Sequence, residues 1–219
     1  MNDHPGQLIT FEGGEGAGKS TQVRLLADRL ATHGIASLAT REPGGSPHAE
    51  TLREILLSGF AASLGPTGEA VLFTAARIDH LDNTILPALA AGKFVLCDRF
   101  IDSTLAYQGA LGRVPGGMIA TLERVAIGDR RPDLTVLVDV PPDIGLARAA
   151  RRRGRMTADR FERENGAFHR DLREAYRGIA EAEPARFLVV DGTLDERAIA
   201  DTIWTEVVQR FPLVAERAA

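Results

Sequence analysis

The sequence predicts an α/β fold in which helices cover both faces of a parallel sheet. Short apolar runs alternate with longer segments of helical periodicity along the chain, which is the pattern of a parallel sheet. Some runs are continuously apolar, as is typical of strands buried on both faces. With 219 residues, of which 44% are hydrophobic, the chain can bury a core, and we expect a single domain over 1–219.

Five apolar runs are the predicted strands of this sheet. They are 8–11, 35–40, 94–97, 134–138 and 187–190. The run 94–97 is apolar at every position and is expected to lie near the centre of the sheet.

Helices are predicted between these strands. In the first, Val23, Leu26 and Leu30 recur at helical spacing, and Gly34 is a suitable stop. The predicted helices are 20–32, 49–57, 69–91, 102–108, 115–127, 143–153, 163–181 and 196–210. Pro87 interrupts 69–91 and is expected to kink it. The segments 41–47 and 58–68 are predicted loops.

Charge and cysteine content limit the function classes. The formal net charge is −4, whereas proteins that bind nucleic acid are usually basic, so we expect no nucleic-acid partner. A small phosphorylated ligand needs only a local basic pocket. The single cysteine, Cys97, excludes an internal disulfide. The first apolar run, 8–11, is too short for a signal peptide or a membrane span, so we expect a cytoplasmic protein without a membrane partner.

A glycine-rich segment follows the first predicted strand. Gly13–Ser20 reads GGEGAGKS and fits the phosphate-loop pattern G-x-x-x-x-G-K-[ST], between a predicted strand and a predicted helix. Glycines let successive backbone N–H groups point at phosphates, and the helix N-terminus adds its positive dipole end. Lys19 is one of only two lysines in the chain and is expected to reach the β- and γ-phosphates, while Ser20 is expected to hold Mg²⁺. The segment predicts a three-layer P-loop NTPase fold.

The phosphate loop is acidic at Glu15 and contains no arginine, so charge on the transferring phosphoryl group must be neutralised from elsewhere. A cluster of arginines lies at the end of the predicted helix 143–153 and just beyond it: Arg148, Arg151, Arg152, Arg153, Arg155, Arg160 and Arg163. A charge run is usually a solvated helix face. Here it contains glycine and complements the loop, so we expect a mobile arginine-rich lid at about 148–162 that excludes water.

Three features indicate an acceptor site. Asp98 and Arg99 follow the strand 94–97, and ligands of open parallel sheets bind beyond the carboxyl ends of the strands. Phe73 and Arg77 lie four residues apart on one helix face and could bind a base, although such a phenylalanine is more often core and such an arginine surface. Asp139 follows the strand 134–138 and either occupies a Walker-B-like position or caps the turn before Pro141-Pro142.

Taken together, the motifs resemble those of bacterial thymidylate kinases over almost the whole chain. The matching segments are Phe11-Glu12-Gly13, which runs into the phosphate loop, Thr40-Arg41-Glu42-Pro43-Gly44-Gly45, Phe73-Thr74-Ala75-Ala76-Arg77, Asp98-Arg99-Phe100, Ser103-Thr104-Leu105-Ala106-Tyr107-Gln108-Gly109, Arg131-Pro132-Asp133-Leu134-Thr135 and Asp159-Arg160-Phe161-Glu162. The resemblance implies ATP-dependent phosphorylation of dTMP to dTDP by direct in-line transfer, with Mg²⁺ as cofactor, in a homodimer.

The resemblance also implies roles for individual residues. Phe73 would stack on thymine, Arg77 would bind its carbonyl edge, and Arg99 would hold the dTMP phosphate. Tyr107 would crowd the sugar 2′ position, and Glu15 would approach the 3′ side. The expected dTMP-binding residues are Glu15, Arg41, Pro43, Phe73, Arg77, Arg99, Ser103, Thr104, Tyr107 and Gln108. The expected ATP-binding residues are Gly13, Gly14, Glu15, Gly16, Ala17, Gly18, Lys19, Ser20, Thr21 and Arg148.

The expected catalytic residues are Lys19, Asp98, Arg99, Arg153 and Arg160, and the expected metal ligands are Ser20 and Asp98. The lid is a few residues longer between Gly154 and Asp159 than in the bacterial enzymes it resembles, so the choice of Arg153 and Arg160 among its arginines stays open.

Two other functions are compatible with a phosphate loop. A P-loop kinase for another nucleotide or a small metabolite would share the loop, but not the set Phe73, Arg77, Ser103, Thr104 and Tyr107. A GTP-dependent switch would carry an Asn-Lys-x-Asp signature, which is absent from the sequence.

Overall fold

The computed structural model describes residues 6–154 and 160–218. Five parallel strands form one sheet in the order β2-β3-β1-β4-β5. The strands are β1 (Gln7–Glu12), β2 (Ser37–Arg41), β3 (Phe94–Asp98), β4 (Leu134–Asp139) and β5 (Phe187–Asp191). All five predicted strands are therefore present, and the α/β fold with a five-stranded parallel sheet is confirmed.

The helices lie between the strands. They are α1 (Lys19–Thr32), α2 (Pro47–Ser58), α3 (Gly65–His80), α4 (Leu86–Ala90), α5 (Ile101–Thr104), α6 (Gly116–Ile127), α7 (Pro142–Arg153), α8 (Gly166–Ala182), α9 (Glu196–Arg210) and α10 (Pro212–Ala218). No single helix among the described residues is long and apolar enough to cross a membrane, while the bent pair Pro47–Ser58 and Phe60–Ala90 meets the criteria of length and composition alone.

Period-two alternation assigns the strand residues to two apolar cores. On one face of the sheet, Ile9 and Phe11 of β1 pack with Leu26 of α1 and Val207 of α9. On the other face, Leu8 lies in a cluster with α4 residues such as Leu89. A further cluster on this second side joins β4 to α8. Both faces of the sheet are buried, as the apolar strands predict.

Several predicted helix boundaries were wrong. The segment 58–68 is not simply a loop, because a 3-10 turn (Phe60–Leu64) leads into α3, which starts at Gly65 with Pro66 in its first turn. A π-helical turn (Leu81–Ile85) separates α3 from α4 and precedes Pro87, which has no N–H to donate to the residue four before it.

Two further boundaries differ near the site. The predicted helix 102–108 is a single α turn, α5, that continues as a π-helical stretch (Leu105–Leu111). The helix predicted at 163–181 begins only at Gly166, where the side chain of Asn165 accepts a hydrogen bond from the N–H of Phe168 as an N-cap. The C-terminal helix α10 was not predicted.

Buried polar side chains beside β1 and β4 are joined by hydrogen bonds. Thr10 and Thr135 on neighbouring strands share a hydrogen bond of 2.8 Å. Arg186 donates to both carboxylate oxygens of Asp102, at 2.7 and 2.8 Å, and also to Thr135. Asp102 is fully buried, so its charge depends on this one guanidinium.

We therefore expect Arg186→Met to lower the free energy of unfolding by about 3 kcal/mol, because it leaves a buried carboxylate without its counter-charge. Urea unfolding monitored by circular dichroism measures the change. Arg24→Met is the matched control, since Arg24 pairs with Asp28 on the surface of a helix and both side chains are more than half exposed; we expect a loss below about 0.5 kcal/mol there. Equal losses in the two variants would contradict the expectation.

Candidate active site

The phosphate loop lies at the carboxyl end of β1 and runs into α1. Its glycines adopt positive φ angles at Gly13, Gly16 and Gly18, where a side chain would be strained. Gly16 also lies so close to Gly145 of α7 that a Cβ atom on either residue would collide with the other segment's backbone. The conformation of the loop is therefore fixed by the positive φ angles of its glycines and by close packing against α7.

Lys19 is the first residue of α1 and is buried. Its Nζ donates to the carbonyl oxygens of Gly13 and Gly14, at 3.1 and 2.9 Å, so the ammonium group lies inside the curve of the loop. Burial lowers the pKa of Lys19, and the nearby Arg99 charge acts in the same direction, while carboxylates at Asp98 and Glu15 oppose both. The ammonium group is thus placed where phosphate oxygens would be stabilised.

Ser20 and Asp98 meet across the sheet edge. The Ser20 hydroxyl donates to the Asp98 carboxylate at 2.5 Å, which joins the first turn of α1 to the carboxyl end of β3. A hydroxyl beside a carboxylate at a phosphate site is the oxygen donor set that Mg²⁺ prefers. The two residues predicted as metal ligands are thus adjacent, and their chemistry fits the ion.

Asp139 is the last residue of β4. Its carboxylate forms a two-point ion pair with Arg173 of α8, at 2.6 and 2.8 Å. The acidic partner of Ser20 is Asp98.

The side chain of Arg99 contacts four other residues of the site. It follows β3 with a left-handed backbone (φ 70°), an uncommon conformation for a residue with a side chain. Its guanidinium donates to Glu15 Oε1 at 2.5 Å, and its Nη1 donates to Gly13 O, Ser103 Oγ and Tyr176 Oη. A part-buried guanidinium so placed is suited to binding a phosphate.

Glu15 gives the phosphate loop a part-buried carboxylate. Burial raises the pKa of Glu15, but the charges of Arg99 and Lys19 and a hydrogen bond from Tyr107 outweigh it and lower the pKa to about 2. Arg152 contributes to the same lowering, so its guanidinium acts at the loop. Glu15 is therefore ionised at any physiological pH.

One pocket of about 240 Å³ joins the phosphate loop to the predicted acceptor residues. The predicted residues that line it are Glu15, Gly16, Ala17, Gly18, Lys19, Ser20, Thr21, Arg41, Pro43, Phe73, Arg77, Asp98, Arg99, Ser103, Thr104, Tyr107 and Gln108. Gly13 and Gly14 line a small cavity behind the loop. Arg148 lies elsewhere and donates to the Gly192 carbonyl after β5.

Phe73 and Arg77 share the pocket-facing side of α3, as their spacing predicted. Arg77 is 3% exposed and Phe73 only half-buried, which reverses the usual distribution of these residue types. The guanidinium donates to Glu42 at 2.7 Å and to Thr104 and the Phe100 carbonyl at 3.0 to 3.2 Å. Arg77 is thus fixed in one orientation at the pocket wall.

The two lid arginines expected to be catalytic do not line this pocket, whereas Arg99 does. Arg153 donates to Glu162 at 2.5 Å, and Arg160 forms an ion pair with the buried Glu69. Arg152 lines the pocket instead. Arg155 and Asp159 lie outside the described residues.

Several pocket residues were not predicted. They are Glu42, Arg53, Leu57, Phe100, Arg152, Phe161 and Glu162. Four of these, Glu42, Phe100, Phe161 and Glu162, belong to the segments that carry the family resemblance, although no role was expected for them. Leu57 and Arg53 carry no comparable pattern, and only the fold brings them to the site.

Glu12, the last residue of β1, was also missed. It is fully buried and accepts hydrogen bonds from the backbone N–H groups of Phe100 and Ser103 and from the hydroxyls of Ser103 and Tyr176. Burial and the charge of Asp102 raise the pKa of Glu12 to about 7, against the lowering effect of Arg99 and these hydrogen bonds.

Comparison with known proteins identifies relatives over nearly the full chain. The family model for thymidylate kinase matches residues 11–203. Thymidylate kinase of Bradyrhizobium diazoefficiens is 55% identical over 206 residues, which is 94% of this chain and 90% of that protein. Thymidylate kinase of Rhodopseudomonas palustris is 56% identical over 207 residues, which is 94% of this chain and 90% of that protein. The crystal structure of thymidylate kinase from Ehrlichia chaffeensis superposes with a TM-score of 0.73 at 32% identity and covers 94% of this chain and 99% of its own.

The raised pKa of Glu12 has a consequence for stability. Between its unfolded pKa near 4.5 and its folded pKa near 7, the folded protein binds the extra proton, so this group stabilises fully below pH 4.5 and loses that contribution as pH rises through 7. We expect the free energy of unfolding of the wild type, relative to Glu12→Gln, to fall from pH 5 to pH 8. Urea unfolding at both pH values measures it; a difference that grows in favour of the wild type with rising pH would contradict the assignment.

Proposed function

The chain belongs to the thymidylate kinase family and phosphorylates dTMP to dTDP with ATP, and we propose that the phosphate loop holds the donor while the adjoining pocket holds the acceptor. The observation that carries the proposal is the single cavity lined by Lys19 and Ser20 at one side and by Phe73 and Arg77 at the other, with Arg99 between them. Direct transfer between two bound nucleotides requires such a shared cavity.

On the donor side, the backbone of the phosphate loop and the Lys19 ammonium group cradle the β- and γ-phosphates of ATP. The observed contacts of Nζ with the Gly13 and Gly14 carbonyls place the ammonium group within the loop. Arg148, which is anchored to the Gly192 carbonyl, lies near the adenine.

On the acceptor side, Arg99 holds the dTMP phosphate, and Phe73 stacks on the thymine ring. Arg77 binds the carbonyl edge of the base, because Glu42 and Thr104 already fix its guanidinium at the pocket wall. The remaining contacts of the acceptor are Glu15 at the sugar 3′ side, Tyr107 at the 2′ side, Ser103, Thr104 and Gln108 near the base, and Arg41 and Pro43 along the wall.

Mg²⁺ is the cofactor that the donor site would take. Ser20 and Asp98 would hold it, because their oxygens lie 2.5 Å apart at the mouth of the phosphate loop. When bound, the ion would neutralise charge on the phosphate oxygens of ATP. The chain's own contribution is to keep a hydroxyl and a carboxylate together at that point.

The transfer is an in-line displacement of ADP by the dTMP phosphate oxygen, without a covalent enzyme intermediate. The chain supplies positioning and positive charge rather than a nucleophile. Lys19, Arg99 and a lid arginine surround the transferring group. Arg152 is the favoured lid arginine, since it lines the pocket, acts on Glu15 and lies 3.9 Å from Glu162. Arg153 is held more closely by Glu162, at 2.5 Å, and Arg160 is paired with Glu69.

The segment at about 148–162 acts as the lid, and the chain forms one domain that works as a homodimer in the cytoplasm. The support for the dimer is an exposed apolar surface on α3, α6 and the turn before α3, which consists of Phe60, Leu64, Val71 and Val125. The support for the compartment is the single buried thiol of Cys97.

The acceptor assignment is tested with a panel of nucleoside monophosphates, ATP and Mg²⁺, read out as ADP formation. We expect kcat/KM to be highest for dTMP, because the pocket presents Arg77 to a carbonyl edge and Tyr107 to the 2′ position. A kcat/KM that is highest for dAMP, dCMP or dGMP would contradict the proposed acceptor.

The lid assignment is tested with single alanine variants of Arg152, Arg153 and Arg160. We expect Arg152→Ala to lower kcat by about a hundredfold or more with little change in dTMP affinity, because the lost charge acts mainly in the transition state. Smaller effects are expected for the other two. An unchanged kcat in Arg152→Ala would show that another arginine neutralises charge on the transferring phosphoryl group.

The dimer is tested by sedimentation velocity. We expect Val125→Glu to shift the protein toward monomer, because a charge in the centre of an apolar interface is left without a partner. Glu174→Lys on α8, away from this surface, is the control, and a wild type that sediments as a monomer would refute the assembly.

A further inference from the structure

Tyr176 lies on α8, the helix that follows the lid, and its ring is 1% exposed. Its hydroxyl does not line the substrate pocket. It lies 3.0 Å from Arg99 Nη1, 2.8 Å from Ser103 Oγ and 3.2 Å from Glu12 Oε2. A buried hydroxyl therefore meets the guanidinium that the proposed function assigns to the acceptor phosphate.

The direction of these hydrogen bonds is fixed by their two ends. The guanidinium of Arg99 can only donate, and above pH 7, where Glu12 is ionised, its carboxylate can only accept. Tyr176 therefore accepts from Arg99 and shares its own proton between Ser103 Oγ and Glu12 Oε2, while Ser103 donates to Glu12 Oε2 at 2.7 Å. The chain runs from a cation to a carboxylate with each hydroxyl in one orientation, and each bond strengthens the next.

The same carboxylate also holds the backbone at Arg99. Glu12 Oε1 accepts from the N–H groups of Phe100 at 2.7 Å and Ser103 at 3.2 Å. Phe100 follows directly on the left-handed backbone of Arg99, and Ser103 lies one turn further on; such a backbone persists only where its surroundings over-determine it. One oxygen of Glu12 thus fixes the backbone that presents Arg99, and the other fixes the hydroxyls that hold its guanidinium.

Glu15 binds the other terminal nitrogen of the Arg99 guanidinium. The Arg99 Nη2 donates to it at 2.5 Å, and Glu15 belongs to the phosphate loop. The Nη1 contacts with Tyr176, Ser103 and the Gly13 carbonyl oppose a swing of the side chain about that ion pair. Without the Tyr176 hydroxyl, Nη1 keeps only the two longer contacts, at 3.2 and 3.3 Å.

We propose that Tyr176, anchored through Ser103 to Glu12, is a positioning residue that sets the guanidinium of Arg99 for the acceptor phosphate. The inference rests on the proposed role of Arg99. Tyr176 also connects α8, the helix that follows the lid, through one hydroxyl to the proposed acceptor-phosphate group.

The test is Tyr176→Phe, which removes the hydroxyl and keeps the ring that packs against Tyr107. We expect kcat/KM for dTMP to fall about tenfold, the effect of one lost hydrogen bond to a charged group. KM for ATP and the midpoint of thermal unfolding are expected to stay close to wild type, because no donor-site contact and no packing volume is lost.

Leu172→Val is the matched control, since Leu172 lies one helical turn before Tyr176 and packs in the same cluster. We expect it to lower the unfolding midpoint without a selective effect on dTMP. An unchanged kcat/KM for dTMP in Tyr176→Phe would overturn the inference, and so would a loss that affects dTMP and ATP equally together with a lowered midpoint.

Arg99→Lys separates this inference from the proposed function. A large loss for dTMP in Arg99→Lys with none in Tyr176→Phe would overturn the positioning role alone. No loss in Arg99→Lys would overturn the role of Arg99 itself. If the inference holds, the double variant loses less than the product of the two single losses, because the two residues act through one hydrogen bond.

Discussion

The pairing of β1 with β3 is the constraint on which the site depends. The two strands are parallel, and their register places Phe11 opposite Asp98. The phosphate loop, which follows β1, and Arg99, which follows β3, therefore lie at the same edge of the sheet. A register shift of one residue would turn every side chain of a strand to the other face, and the buried alternation of Leu8, Ile9 and Phe11 forbids it. Core packing thus fixes the distance between donor and acceptor groups.

Charge at this edge is balanced rather than uniformly positive. The phosphate loop carries Glu15, whose carboxylate would repel a triphosphate if it stood alone. Arg99 and Lys19 hold it ionised, and in doing so Glu15 holds Arg99 in place. Asp98 similarly engages Ser20. The acidic groups therefore orient the cationic and polar groups that act on phosphates, which is how a chain of net charge −4 builds a phosphate site.

A layer of buried polar side chains supports these groups from below. Glu12 supports Arg99, and Glu42 supports Arg77, each by accepting hydrogen bonds from several donors. Buried carboxylates are costly unless every lone pair is used, so such groups persist where their orienting effect is needed. In both cases the carboxylate comes from a segment next to a strand end, where the backbone is already fixed by the sheet.

The sequence by itself determined the α/β class, the five strands, the phosphate loop and most of the residues that line the pocket. These features depend on local pattern, since apolar runs, glycine spacing and short motifs are visible without knowledge of contacts. The start of α3 at Gly65, the π-helical turns and the ends of α8 were decided by tertiary packing and capping. So were the pairing of Asp139 with Arg173, the ion pairs that hold Arg153 and Arg160, and the convergence of Tyr176 with Glu12 and Arg99. These contacts join residues far apart in the chain, and no local pattern encodes which partner a charged or hydroxyl side chain will meet.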